Sequence, residues 1–474
     1  MAMFRGLRLF WSIACFCLLG FVGAIINESE FASTDILNYD VCVIGGGSAG
    51  TYAAIRLRDL KKTVAVVEAK GRLGGHTETY TDPISKATID IGVIEFHKLD
   101  IVRKYFGRFD IPLDLNSFEA PGVTTKFVDF QTGKAVNDYT PPNATAALEI
   151  YAAQLAKYPY LYADQSLGHI PQPVAADLLL SFGDFIEKYS LQDAVFLFSS
   201  YGQGLGNILK LPTLYALKLI SPALLLDLQI GSLTTKRHDN SELYEKAQAE
   251  LGADALLNSH VLAMDRSNGD SAKVLIQTPT GRKLIRAKKI VSTIPPVLSN
   301  LQGFDLDNYE TPLFSQFKYH SYYAGILRNS GIPDDLSLMN VGTDTQYNLP
   351  ILPAAYDISP TSAPGLHIFQ STTNDDQRIS DQQMEYDVVA SIKRMRAAGT
   401  LPATNESAPQ FAIFSSHTPF EVYVPASAIA TGFYNRLFAL QGRKNTYWTG
   451  AAFVTYDSSL IWQYTETLLA QITA

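Results

Sequence analysis

Residues 41–57 read VCVIGGGSAGTYAAIRL, and this stretch constrains the fold more than any other. Tyr39 to Ile44 has the apolar run of a short buried strand, and Ser48 to Leu60 reads as a helix with Ala49, Ala53, Ile55 and Leu57 on its packed side. Between them, Gly45, Gly47 and Gly50 have the G-x-G-x-x-G spacing. Gly45 permits the tight turn, Gly47 lets backbone approach a pyrophosphate, and Gly50 lets the helix lie against the strand. Ser48 and Ala49 open that helix, where unpaired N–H groups face the phosphates. A second strand, Thr63 to Val67, ends at Glu68, 23 residues past Gly45, where a dinucleotide places its ribose hydroxyls. A plain glycine-rich turn has no need of strand, helix, strand and acid in this order.

Composition limits what is built around that unit. A chain of 474 residues, 47% hydrophobic and 18% charged, has room for two domains. The net charge is -8 and Lys and Arg form no runs, which argues against a nucleic-acid partner. Past the first 25 residues the only cysteine is Cys42, so neither an internal disulfide nor a zinc cluster is expected, and no metal is assigned. Stability then rests on the core and on a tightly held cofactor.

The N-terminal segment reads as targeting. Arg5 and Arg8 precede an uncharged stretch from Leu9 to Ile26, and Val22 and Ala24 suit cleavage after Ala24, giving a signal peptide over 1–24. Uncleaved, the same stretch is long enough for an anchor, and membrane contact is then confined to it. Sequons at Asn27, Asn143 and Asn405 agree with the secretory pathway and a secreted, vesicular or vacuolar destination.

After Glu68 the chain continues with Arg72, Gly74 and Gly75, giving E-x-x-x-R-x-G-G. This resembles the FAD-binding signature of the flavin amine oxidase superfamily and favours FAD over NAD. That superfamily usually has Arg where this chain has His76. Ser259 to Met264 resembles the strand whose valine, here Val261, meets the adenine, and Lys288 to Pro296 resembles the strand that returns to the sheet. Asn445 to Ala452, followed by FVTYDSSLIWQYTETLL, resembles the closing flavin motif, with Gly450 as its glycine and Ser459 and Leu460 in the helix that faces the flavin. Asp457 or Ser458 suits the N-cap. Ala451 stands where an acid often follows.

The runs GGHTETYTDP, IDIGVIEFH and YYAGILRN resemble the beta-cyclopiazonate dehydrogenase family, fungal flavoproteins of secondary metabolism. The resemblance implies FAD-dependent dehydrogenation, in some cases with oxidative ring closure, of an alkaloid or terpenoid-like small molecule, with oxygen as the electron acceptor. An amine oxidase releasing peroxide and an FAD-dependent lipid double-bond isomerase are the alternatives. The fold class that follows is α/β, a Rossmann-like FAD-binding domain of amine-oxidase type with an inserted α+β substrate domain. The FAD-binding domain takes 36–115, 237–300 and 425–474, and the substrate domain takes 116–236 and 301–424.

Within the insertions, Ala175 to Tyr189 and Leu191 to Ser199 have helical spacing, Tyr319 to Arg328 reads as one strand, 348–364 is turn-rich, and a helix over 384–398 stops at Gly399. Gly202, Gly204 and Gly206 follow no strand and read as a loop. Candidate chemical groups are His76 beside Gly75, His97 and Glu95 after the IDIG strand, and Lys318, placed where amine oxidases carry a lysine near flavin N5. His76 supplies a pH-dependent charge, or a nucleophile for the flavin 8α-methyl carbon. Tyr447, Trp448, Tyr456 and Trp462 are candidates to wall a pocket.

Overall fold

The structure, a computed structural model, describes residues 26–116, 122–374, 377–403 and 408–474. The signal segment and the Asn405 sequon lie outside them. Asn27 and Asn143 are exposed, and Ile26 packs against Ala263 and Leu284.

Two seven-stranded sheets organise the chain. In the first, Ile36–Ile44 lies between Gly281–Ser292 and Val64–Val67, both parallel to it, and Ala255–Leu256 extends the edge. Val41 to Ile44 and all of Val64–Val67 are buried, as expected of a parallel sheet covered on both faces. Burial pushes the Cys42 thiol up to about 12, so it is an inert core group. The helix Ser48–Asp59 packs on the C-terminal helix Ser458–Thr473. Trp462, wholly buried, stacks between Tyr52 and Phe96 with ring centroids 5.7 and 5.5 Å away.

The strand that returns to the sheet starts earlier than Lys288. Gly281–Ser292 runs for 12 residues. Its first half pairs antiparallel with Ala272–Thr278, and its last three residues pair parallel with Thr446–Trp448. A single strand therefore couples the His260–Asp265 meander to the closing segment.

The second sheet draws on both insertions. Thr124–Asp129 pairs parallel with Leu336–Asn340, and the order continues through Ala354–Pro360, Leu366–Thr372, Tyr322–Arg328 and Gln410–Ser416. Two sequence expectations change here. Tyr319 to Arg328 breaks at Ser321, so Lys318–His320 pairs with Phe420–Tyr423 while Tyr322–Arg328 joins the large sheet. The turn-rich 348–364 contains the inner strand Ala354–Pro360, with its prolines at or beyond the ends, where no ladder hydrogen bond is lost.

The expected 175–189 helix is also two. Leu180 and Ser181 are extended, and Ser181 caps a new helix, Phe182–Lys188, by accepting from the Asp184 N–H. The later helix begins as a single turn at Gln192–Ala194 and runs over Val195–Tyr201. Asp381–Ala397 matches the third expected helix within three residues at its start and one at its end.

Candidate cofactor and substrate cavity

The first glycine turn sits at the carboxyl end of Ile36–Ile44, and the second turn is laid against it. The Gly74 N–H donates to the Gly46 carbonyl at 2.8 Å, and Gly47 and Gly74 form a parallel bridge. A Cβ on Gly75 would stand 2.9 Å from the Gly47 Cα, so the two turns can touch only with glycine at position 75. Glu68, buried, binds the first turn: its Oε2 accepts from the Gly46 N–H at 2.6 Å and its Oε1 from the Lys70 N–H at 2.7 Å. Arg72 braces the second turn by donating to the Thr77 carbonyl at 2.8 Å and to those of Leu73 and Gly75, and it pairs with Glu78.

A cavity of about 610 Å³ opens from this double turn toward the second sheet. Gly45, Gly47, Ser48, Ala49, Glu68, Gly74, Gly75, His76 and Gly450 all line it. Ser48 Oγ donates to Ser458 Oγ at 2.9 Å, which brings the N-termini of two long helices together at the wall. Asp457 is the N-cap of the second, accepting from the Leu460 N–H at 2.9 Å. Among the described residues the lining has no lysine or arginine, so an anionic diphosphate there is met by helix N-termini and turn N–H groups.

Other expected cofactor residues stand behind the wall. Gly50 is buried under the turn, where a Cβ would lie 1.8 Å from the Gly45 carbonyl oxygen. Val261 is half-buried on its strand, next to the Ser259 N–H that donates to the Glu68 carbonyl. Ser459 and Leu460 are buried in the C-terminal helix, with Asp457, Ser458 and Ile461 lining the cavity in their place.

The four chemical candidates separate. His76 lines the cavity, its ring 4.7 Å from His417 and 5.6 Å from Phe420. Burial, together with Lys70 and Arg72, pushes it down to about 4, so it is a neutral imidazole. His97 does not line the cavity. Its Nδ1 lies 2.5 Å from Asp227 Oδ2, its Nε2 lies 3.4 Å from Asp457 Oδ2, and its N–H donates to Ser459 Oγ at 3.0 Å, so it ties the N-cap into the core. Lys318 does not line the cavity either: it stands at the end of the two-stranded pair, opposite Tyr423, whereas Phe420, Glu421 and Val422 of that pair do line it. Glu95 does, with its carboxylate accepting from Ser232 and Asn116, while burial raises its pKa. Of the four aromatic candidates only Tyr456 reaches the wall. Tyr447, Trp448 and Trp462 are core.

Several lining residues escape the sequence reading: Tyr322, Asp357, Gln370, His417, Phe420 and Glu421. Tyr322 and Phe420 stack at 4.7 Å, and Phe420 meets Tyr456 at 4.7 Å, making an aromatic wall that reaches the His76 ring. His417 is buried, and neither ring nitrogen has a hydrogen-bond partner among the described residues. Burial and the neighbouring His76 hold it well below its ordinary value. The signal available in sequence was an acid within an apolar run, as in FEVYV and AAYDIS, because a buried carboxyl needs a reason.

Residues 48–452 match the family described as flavin containing amine oxidoreductase. The chain is 39% identical to the FAD-dependent oxidoreductase pigF of Monascus ruber, with 94% of each chain covered. It is 40% identical to oblC of Cochliobolus heterostrophus, covering 93% of this chain and 92% of that one. To the beta-cyclopiazonate dehydrogenase of Aspergillus oryzae it is 35% identical, with 97% and 98% covered. Among solved structures, a conjugated-linoleic-acid-producing fatty acid isomerase from P. acnes shares the fold with a TM-score of 0.69 at 18% identity, covering 92% of this chain and 99% of that one. A variant of putrescine oxidase does so at 0.64 and 17%, with the same coverage.

Proposed function

Because this chain belongs to the beta-cyclopiazonate dehydrogenase family of flavin amine oxidoreductases and is an FAD-dependent oxidoreductase, we propose that it dehydrogenates a small natural product of secondary metabolism and passes the electrons to oxygen. The observation that carries the reading is the half of the cavity beyond the double glycine turn. Its aromatic wall of Tyr322, Phe420 and Tyr456 is set with few polar groups, among them Gln370, Asp357 and Glu421, which suits a rigid, largely apolar ligand.

FAD supplies a hydride acceptor when bound. The donor set fits it: Gly47 leaves room for a diphosphate, the N-termini at Ser48 and Ser458 face that room, and Glu68 can accept from ribose hydroxyls. The aromatic wall would hold a substrate flat against the cofactor and exclude water. His76, neutral, can donate or accept one hydrogen bond without adding charge.

The test is a strain in which the gene is disrupted. A precursor should accumulate, and added anaerobically to purified protein it should bleach the yellow flavin absorbance, with oxygen uptake on readmission of air. No precursor, or no bleaching, sinks the reading. The same aromatic wall favours a second reading, an amine oxidase. An accumulated precursor that bears an amine, together with peroxide release, would select it.

Of the two lining imidazoles, His76 and His417, we propose His76, beside the second glycine turn, for a covalent bond with the flavin 8α carbon. Under that arrangement acid precipitation leaves the yellow colour in the wild-type pellet and moves it to the supernatant for His76→Ala. Release from wild type leaves His76 a hydrogen-bonding role only. We also propose passage through the secretory pathway, with a mature N-terminus near Ile25 and sugar on one or more of Asn27, Asn143 and Asn405. N-terminal sequencing of secreted protein checks this, and an intact Met1 in a membrane fraction selects the anchor.

A further inference from the structure

We propose that Glu421 is the catalytic carboxyl of the cavity, accepting the proton that the substrate releases as its hydride departs. This rests on the dehydrogenase reading. In the pair formed by Lys318–His320 and Phe420–Tyr423, Tyr319 faces Val422 and His320 faces Phe420, so Glu421 is the extra residue of a β-bulge. Its φ is +38°, a region that L side chains rarely adopt. Bulges re-aim side chains, and a strained non-glycine residue is held only where its surroundings enforce it.

The bulge directs a carboxyl into the cavity. Glu421 is 5% exposed, lines the cavity, and its Oε2 has no hydrogen-bond partner among the described residues. The Tyr456 N–H supports the carboxylate from the N-terminal side of the C-terminal helix. Phe420 before it stacks in the aromatic wall, and its strand packs on Ala451–Phe453, beside Gly450. The carboxyl therefore lies between the substrate wall and the flavin cradle.

Burial pushes Glu421 up to about 8 against the opposing pull of Lys218, whose Nζ is fixed by donating to the Leu161 and Gln165 carbonyls. Tyr215, Tyr434 and Tyr456 are the other titratable groups facing it. In the reaction a substrate C–H and an adjacent X–H bond break and a C=X π bond forms. Two electrons leave with the hydride to oxidised flavin, and the X–H proton goes to Glu421 Oε2, from which it passes to solvent. Asp357 is the competing carboxyl. It is half-buried on a second bulge, at Tyr356, with Oδ1 unpartnered, and burial holds it up at about 7.

The experiment compares holoenzyme of wild type, Glu421→Gln, Glu421→Asp and Asp357→Asn, using as probe the small-molecule extract of the gene-disrupted strain. In wild type, anaerobic flavin bleaching should rise about tenfold per pH unit up to about pH 8 and then level. Glu421→Gln should keep its FAD, bleach about 100-fold or more slowly, and lose the slope. Glu421→Asp should recover the slope, and Asp357→Asn should keep it. Infrared titration without substrate should find a protonated-carboxyl band that disappears near pH 8 in wild type and is missing from Glu421→Gln. Wild-type rate and slope in Glu421→Gln overturn the assignment, as does transfer of the defect to Asp357→Asn. Should the extract bleach none of the four proteins, the dehydrogenase reading fails. The infrared titration then decides Glu421 alone, and absence of the band overturns it.

Discussion

Gly47→Val yields a folded, colourless protein. A Cβ at Gly47 meets no protein atom closer than the Gly75 Cα at 3.7 Å, so the backbone has room for it. What the side chain fills is the edge of the cavity, where the flavin diphosphate must approach the turn. FAD affinity should fall by at least about 100-fold, roughly 2.7 kcal/mol. Gly50→Ala makes the opposite error. Its Cβ would stand 1.8 Å from the Gly45 carbonyl oxygen and 2.9 Å from Thr293 Oγ1, so backbone must move. That variant should lose about 3 kcal/mol or more of stability and express poorly. Circular dichroism with flavin absorbance after dialysis separates the two. A yellow Gly47→Val of native affinity would show that the diphosphate lies elsewhere.

His97 controls the second large effect. It is 6% exposed, between Asp227, at 3% exposed, and the N-cap Asp457. Burial opposes its charge, but Asp457 and Asp227 together outweigh it and raise the imidazole to about 9. The folded value lies above the unfolded one near 6.5. The stabilisation is therefore complete below about pH 6.5 and is lost as pH climbs through about 9. It amounts to about 3 kcal/mol in order of magnitude. His97→Ala leaves Asp227 buried and unneutralised, and should cost about 3 to 5 kcal/mol near pH 6. Urea unfolding at about pH 6 and about pH 10 checks both statements. The pH-dependent loss should belong to wild type and be smaller in the variant. A variant as stable as wild type near pH 6 would mean that His97 is not charged in the folded protein.

The cradle was legible because its contacts are local. From Gly45 to Gly75 the chain supplies both turns, the helix and the acid, and each requirement falls on one residue type at one spacing. The aromatic wall and the acids behind it were not legible. Asp357 lay in a run whose prolines read as turns, and those prolines instead flank an inner strand. Lys318 was placed by resemblance to a strand that, here, breaks at Ser321, and the lysine stands at the end of the two-stranded pair, off the cavity. His97 was adjacent to the right elements, but its partners lie 130 and 360 residues further along the chain, and they make it a positioning residue for the N-cap rather than a lining one.

The sequence by itself determined a dinucleotide fold, since backbone approach to a diphosphate can be met by glycine and hardly by anything else, and the resemblance of E-x-x-x-R-x-G-G to the flavin amine oxidase signature implied which dinucleotide. Only the tertiary structure decided which side chains share a cavity with that cofactor. Those are set by strand register and by bulges at Tyr356 and Glu421. A one-residue change of register turns every side chain to the other face of a strand, and the acid within each apolar run was the one local trace of it.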